Sequence, residues 1–285
     1  MKTSHKILSL SPIMLALLLA AGVAHADDAP AAAPPAMTAT ANINLASDYR
    51  FRGIDQTWGH PAVQGGADLS WPIGFYAGVW GSNVSGNSYP GGSLEFDYYG
   101  GYSGKIGDDL GYTAGVYGYV YPGANFDRSA CPSAAYPAPC SLPSKSLNTL
   151  ELNAGVTWKW IAYKLSVATG DYFGAARSTG YTRGTAGTLY HDLSVTWPIA
   201  DDLSLVAHVG HTDVKARYGS VDPDYTDYRV ALSKTFAGGW NVSGAWVGAN
   251  NDKFYRPPVG GLSYANDQTR SVNRGTAIFQ VGRTF

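Results

Sequence analysis

Apolar and polar side chains alternate along most of this chain, in blocks separated by connections rich in Gly, Pro, Ser and Asn. A period of two marks a β-strand with two unlike faces. The first block, ANINLASDYRF (residues 41–51), sets Ile43, Leu45, Tyr49 and Phe51 on one face and Asn42, Asn44, Asp48 and Arg50 on the other, with Arg52 following. Eleven further blocks predict strands at Ala62–Trp71, Phe75–Asn83, Ser93–Lys105, Tyr112–Tyr121, Leu147–Trp158, Ile161–Asp171, Thr188–Pro198, Leu203–Thr212, Tyr225–Phe236, Trp240–Gly248 and Asn273–Phe285. The third and fifth strands, with FYAGVWG and TAGVYGYVY, are apolar on both faces, so their facing stays open.

Twelve strands of roughly ten residues each are long enough to cross a bilayer when tilted. The connections after the even-numbered strands are a few residues, whereas those after the odd-numbered ones are long. A soluble sandwich gives no reason for that asymmetry, whereas outer-membrane barrels join short periplasmic turns to long external loops. The expectation is therefore an all-β fold: a transmembrane antiparallel up-and-down β-barrel of twelve strands, both termini periplasmic. Tyr and Trp near strand ends (Tyr49, Trp71, Trp158, Trp160, Trp197, Trp240, Tyr255) suit the aromatic girdles of such barrels.

Composition agrees: 35 glycines, 13% aromatic and only 14% charged residues describe strands and turns. The chain opens with Lys2 and Lys6, an apolar run Ile7–Gly22 and Ala24-His25-Ala26, which read as a secretory signal peptide (residues 1–26) cut after Ala26. An Ala- and Pro-rich lead-in (27–40) then precedes a barrel domain (41–285), with 122–146 as a long external loop. Formal net charge is −1; removing Lys2 and Lys6 leaves 18 Lys+Arg against 21 Asp+Glu, a net −3. No basic run suggests nucleic acid. Cys131 and Cys140, in CPSAAYPAPC, read as a disulfide stapling the long loop, since no metal-ligand spacing accompanies them. The terminal Phe285, preceded at alternate positions by Arg283, Val281, Phe279 and Ala277, resembles the signal read by the outer-membrane barrel assembly machinery, with Arg283 standing where an apolar residue is usual.

With the apolar faces turned to lipid, Asp48, Arg50, Arg52, Asp68, Glu95, Asp97, Glu151, Lys164, Asp192, His208, Asp227 and Arg229 project into the lumen. They line either a charge-selective pore for small solutes or a paired network that fills the barrel. Arg50 and Arg52 are candidates for guiding anions; the alternative is pairing with Asp68, Glu95 or Asp97. An enzyme, such as a barrel lipid hydrolase, would need a serine beside His191, His208 or His211, and no nucleophile motif surrounds them. Asp222-Pro223-Asp224 and Asn250-Asn251-Asp252 could ligate calcium, but turn chemistry explains them more simply, and no cofactor motif is present.

The blocks SDYRFRGIDQ, PAVQGGADLSW, FYAGVWGSNV and LEFDYYGGY, together with YPG, DYFG and LYHDLSVTWPIADDLSLVAHVG further on, resemble the TorF family of candidate porins, earlier catalogued as an uncharacterised proteobacterial family of Gcw_chp type. The resemblance spans the mature chain apart from the Cys131–Cys140 loop. It implies an outer-membrane barrel with channel function and brings no known substrate.

Overall fold

The computed structural model describes residues 37–133 and 141–285. The expected signal peptide, most of the lead-in and Cys140 lie outside the described residues. The strands are β1 (Thr38–Ala46), the two-residue β2 (Arg50–Phe51) and β3 (Ile54–Asp55), β4 (Ala62–Ser70), β5 (Phe75–Asn83), β6 (Leu94–Ile106), β7 (Leu110–Val120), β8 (Thr149–Trp158), β9 (Ile161–Ala168), β10 (Leu189–Ala200), β11 (Leu203–Asp213), β12 (Tyr225–Thr235), β13 (Trp240–Ala249) and β14 (Thr276–Thr284). β2 and β3 pair only with each other; the other twelve form a closed antiparallel barrel in which β1 pairs with both β4 and β14. Closure leaves no edge strand, so backbone groups along the wall are satisfied without water.

The sheet pleat carries the alternation around the ring. Leu45, Val63, Val79, Phe96, Val116, Leu152, Tyr163, Leu193, Leu205, Val230, Trp246 and Phe279, one from each stave, point outward and are 39–69% exposed. A continuous apolar belt of that extent is a surface for lipid rather than for water. No helix among the described residues is long and apolar enough to cross a membrane, which does not bear on strands. The two open facings resolve: Phe75 and Val79 of β5 and Tyr112 and Val116 of β7 point outward, whereas Trp80, Tyr117 and Tyr119 point inward and pack against the interior.

Four sequence expectations need correction. β1 stops at Ala46 rather than running to Phe51, so Tyr49 and Phe51 belong to no lipid-facing strand; they pack inside the barrel against Trp80 and Tyr119. β9 ends at Ala168 and β14 begins only at Thr276; beyond them Asp171 accepts from Lys145 and the Thr185 amide, and Asn273 donates to the Ala249 and Asn250 carbonyls and to Asp252. Of the expected girdle, Trp71, Trp158, Trp160, Trp197 and Trp240 do stand at the short-turn end, with Trp160 against Trp197. Tyr49 is buried and Tyr255 packs on Tyr225 among the long loops, so neither belongs to a girdle. Arg283 shares the outward register of β14, and its guanidinium lies over the rings of Trp240 and Phe285 while Nε donates to the Gly238 carbonyl, 3.1 Å. Those contacts bring a cation to the barrel rim without leaving its donors empty.

Candidate functional site

Ala46 and Ala62 are direct partners in the β1–β4 register, so a tight turn would suffice to join these strands. Instead residues 47–61 fold into the barrel. The reversal is local in origin: Arg52 (φ 48°) and Gly53 (φ 78°) both occupy the left-handed region, joining β2 to β3. Gly53 is required twice over, since a Cβ there would lie 2.6 Å from the Gly248 carbonyl oxygen and 2.8 Å from Asp227 Cβ. Asp55 Oδ1 accepts from the amides of Thr57 and Gly59 at 3.1 Å, an Asx-type turn that shapes the return. Asp48 Oδ1 accepts from Thr57 Oγ1, and the amides of Asp55 and Ser85 tie the segment to Val272 and Gln56 carbonyls.

The charges on this segment are paired. Arg50 meets Asp48 at 2.8 Å and Asp55 at 3.5 Å, and Asp55 also takes Arg270 at 2.5 Å. Arg52 crosses the lumen to Glu151 on β8, donating through both terminal nitrogens at 2.9 and 2.7 Å. It also donates to the Tyr172 hydroxyl at 2.9 Å, and its guanidinium lies 3.9 Å from the Tyr190 ring centre. Neither arginine pairs with the acids expected from sequence. Asp68 accepts from the Tyr99 hydroxyl (2.6 Å) and Asp97 from that of Tyr117 (2.9 Å), while Glu95 is fully buried beside Tyr49 and Tyr121. Phe51 packs edge-on against Tyr119 and Phe173, and Tyr89 stacks on Tyr121, so the long-loop end of the lumen is an aromatic core.

A second polar network spans β10 to β12. His208 Nδ1 lies 3.1 Å from Asp192 Oδ1, and Nε2 lies 2.8 Å from Asp227 Oδ1. Carboxylates only accept, so the doubly protonated ring satisfies both. Ser194 Oγ donates to Asp192 at 2.7 Å, and the Tyr190 hydroxyl donates to Asp227. Ser194 and His208 are within 3.1 Å of each other, the pair a hydrolase would need. A ring whose two nitrogens both face carboxylates has no lone pair to accept the serine proton, so this geometry disfavours nucleophile activation. His191 and His211 contact Tyr163 and Thr226 hydroxyls, not serines.

Toward the short-turn end the lumen opens into a cavity of about 360 Å³. Arg52, Glu151, Lys164, Asp192, His208, Asp227 and Arg229 line its inner part, and Asp201, Asp202, Thr235 and Asn241 its mouth. Asp48 and Arg50 reach it as well, whereas Asp68, Glu95 and Asp97 stand behind tyrosines. The two turns considered for calcium are internally bonded: Asp222 Oδ1 caps the Asp224 amide, and Asn251 Nδ2 donates to the Asp222 and Asp224 carbonyls. The expected Cys131–Cys140 pairing involves a residue outside the described ones. Sequence reasoning missed Asp55, Tyr172, Tyr190 and Arg270, which complete the two arginine sites. Only Asp55 has a local sign, the glycine-punctuated run RGIDQTWG around it, whose Gly53 and Gly59 take left-handed positions that break a strand.

Residues 29–285 match the family described as bacterial protein of unknown function (Gcw_chp). The chain belongs to this family. No curated protein matches it in sequence. Among solved structures it is similar to the KdgM porin (8% identity, TM-score 0.49, covering 86% of this chain and 98% of that one). It is also similar to the NanC porin (9%, 0.49, 87% and 99%) and to an outer membrane channel from Pseudomonas putida F1 (14%, 0.44, 92% and 100%). Likeness of this degree says nothing of cargo; the fold of this Gcw_chp member stands on its own strand pairing.

Proposed function

We propose that this Gcw_chp protein is an outer-membrane, porin-like channel of the TorF kind for passive diffusion of small polar or charged solutes. The observation that carries the reading is a closed barrel, apolar outside, whose polar interior keeps a cavity of about 360 Å³ open at one end. In this reading the short turns and both termini face the periplasm, the long loops face outward, the signal peptide is removed after Ala26, and Phe285 is read by the assembly machinery. Residues 47–61 form the constriction, and a Cys131–Cys140 disulfide braces the external loop. Planar-bilayer recording of the refolded mature chain in KCl tests it, with discrete conductance steps as the expected result.

A second reading has one specific observation behind it: the aromatic packing of Phe51, Tyr89, Tyr119 and Tyr121 closes off the long-loop end. In that reading the barrel is a structural or surface-binding element without an open pore. Absence of conductance at all voltages would decide for it.

A further inference from the structure

Nearly every cation in the lumen is spent on a neighbouring acid. Arg50 serves Asp48 and Asp55, Arg52 serves Glu151, and His208 serves Asp192 and Asp227. Arg229 is different: it lines the cavity and, among the described residues, forms no hydrogen bond or ion pair. The nearest acid on its own strand, Asp227, is occupied by His208 and Tyr190. Its cross-strand neighbours are His208 on β11 and Val247 on β13, neither of which can accept from it. Below it toward the mouth the wall is small and neutral, with Ala231, Ser233, Ser204 and Ser243. A guanidinium in that position presents an unfilled planar fork of N–H donors, the shape that matches a carboxylate. Lys164 on β9 faces the same cavity.

The opposite wall has another chemistry. β6 is six strands from β12 in either direction round the barrel, hence diametrically across. On β5, β6 and β7 the cavity meets Tyr76, Trp80, Tyr99 and Tyr117. The acids of that side are turned into the wall, with Asp68 and Asp97 holding the Tyr99 and Tyr117 hydroxyls, so rings rather than charges front the space. A guanidinium facing an aromatic wall suits a molecule with an oxyanion at one end and an apolar ring at the other.

We propose that the cavity is a binding site for small organic carboxylates with a cyclic body, the carboxylate on Arg229 and the ring against Tyr76, Trp80 and Tyr99. The site gives the solute path of the porin reading a substrate class and rests on that reading for its biological use, though binding itself needs no open pore. The test is saturation-transfer NMR on the detergent-solubilised full chain with benzoate, acetate (charge without ring) and benzyl alcohol (ring without charge) as probes. Benzoate should half-saturate at a concentration about tenfold below either control. Arg229→Gln should raise that concentration about tenfold and Arg229→Lys should recover part of the loss. Equal binding of benzoate and acetate, or unchanged benzoate binding in a folded Arg229→Gln barrel, overturns the proposal. The wild-type probe series decides even where the variant fails to fold. KCl conductance of the same preparation separates the two ideas: benzoate binding without conductance keeps the site and sinks the channel, and conductance without benzoate binding sinks the site alone.

Discussion

Arg52 and Glu151 are almost wholly removed from solvent, with side chains 5% and 2% exposed, and they face each other through two parallel hydrogen bonds. Removing one partner strands the other charge, which in a buried setting costs about 3–5 kcal/mol, whereas replacing both by apolar residues of similar size is often neutral. Arg52→Ala should therefore lower the urea stability of the refolded barrel by that amount, and Arg52→Met with Glu151→Leu should recover most of it. Equal losses in the single and double variants would mean that the pair is packing rather than electrostatics. The same pairing changes the expectation for selectivity. In sequence Arg50 and Arg52 read either as cations guiding anions or as partners of Asp68, Glu95 or Asp97; each is paired, though with Asp48, Asp55 and Glu151 instead, so neither adds a net charge to the passage. Nothing in SDYRFRG announces this, because Glu151 is 99 residues away. A pairing at that separation is fixed by the closed ring and not by local pattern.

At the scale of the element, the β1–β4 connection is longer than its strands require. Ala46 and Ala62 already sit opposite each other, so residues 47–61 can be exchanged for a four-residue Asn-Gly-type turn without altering the register, with Glu151→Leu in the same variant so that no acid is stranded by the loss of Arg52. The expected outcome is a barrel of unchanged strand content whose single-channel conductance rises by roughly twofold or more, since pore-lining obstruction sets passage. An unchanged conductance would place the constriction elsewhere. Here the sequence is legible in part. The alternation that defines the staves is read correctly along β4, β6 and β8 to β12 because most outward positions there are apolar. It misleads at β1, where Asp48, Tyr49, Arg50 and Phe51 keep the period of two after the strand has ended at Ala46. It is silent at β5, where Trp80 is as apolar as the lipid-facing Val79 yet belongs to the interior, packed on Tyr49. A period of two reports two faces; it identifies the lipid side only where the lumen is polar.

For the whole molecule, the decisive property is that one face of every stave is apolar and the ring is closed. Orientation follows from the alternation of short and long connections, which the sequence displays without help from tertiary structure, and the structure keeps that alternation around all twelve staves. If the outer belt meets lipid, its tolerance to charge must depend on depth and on face. Val230 stands mid-way along β12 and is 53% exposed on the outer wall, while Arg229, one residue before it, points into the lumen. Val230→Arg places a cation near the bilayer midplane and should cost about 2–4 kcal/mol in a barrel folded into lipid vesicles. The same residue at Phe285, on the rim, should cost about 0–1 kcal/mol. In detergent-free water a soluble protein would show the opposite preference, with the charged variant better behaved than the wild type. Equilibrium unfolding from vesicles, read by tryptophan emission, measures both variants on one scale. A cost at Val230 no larger than at Phe285 would mean that the apolar belt does not face a bilayer, and the membrane reading would fall with it.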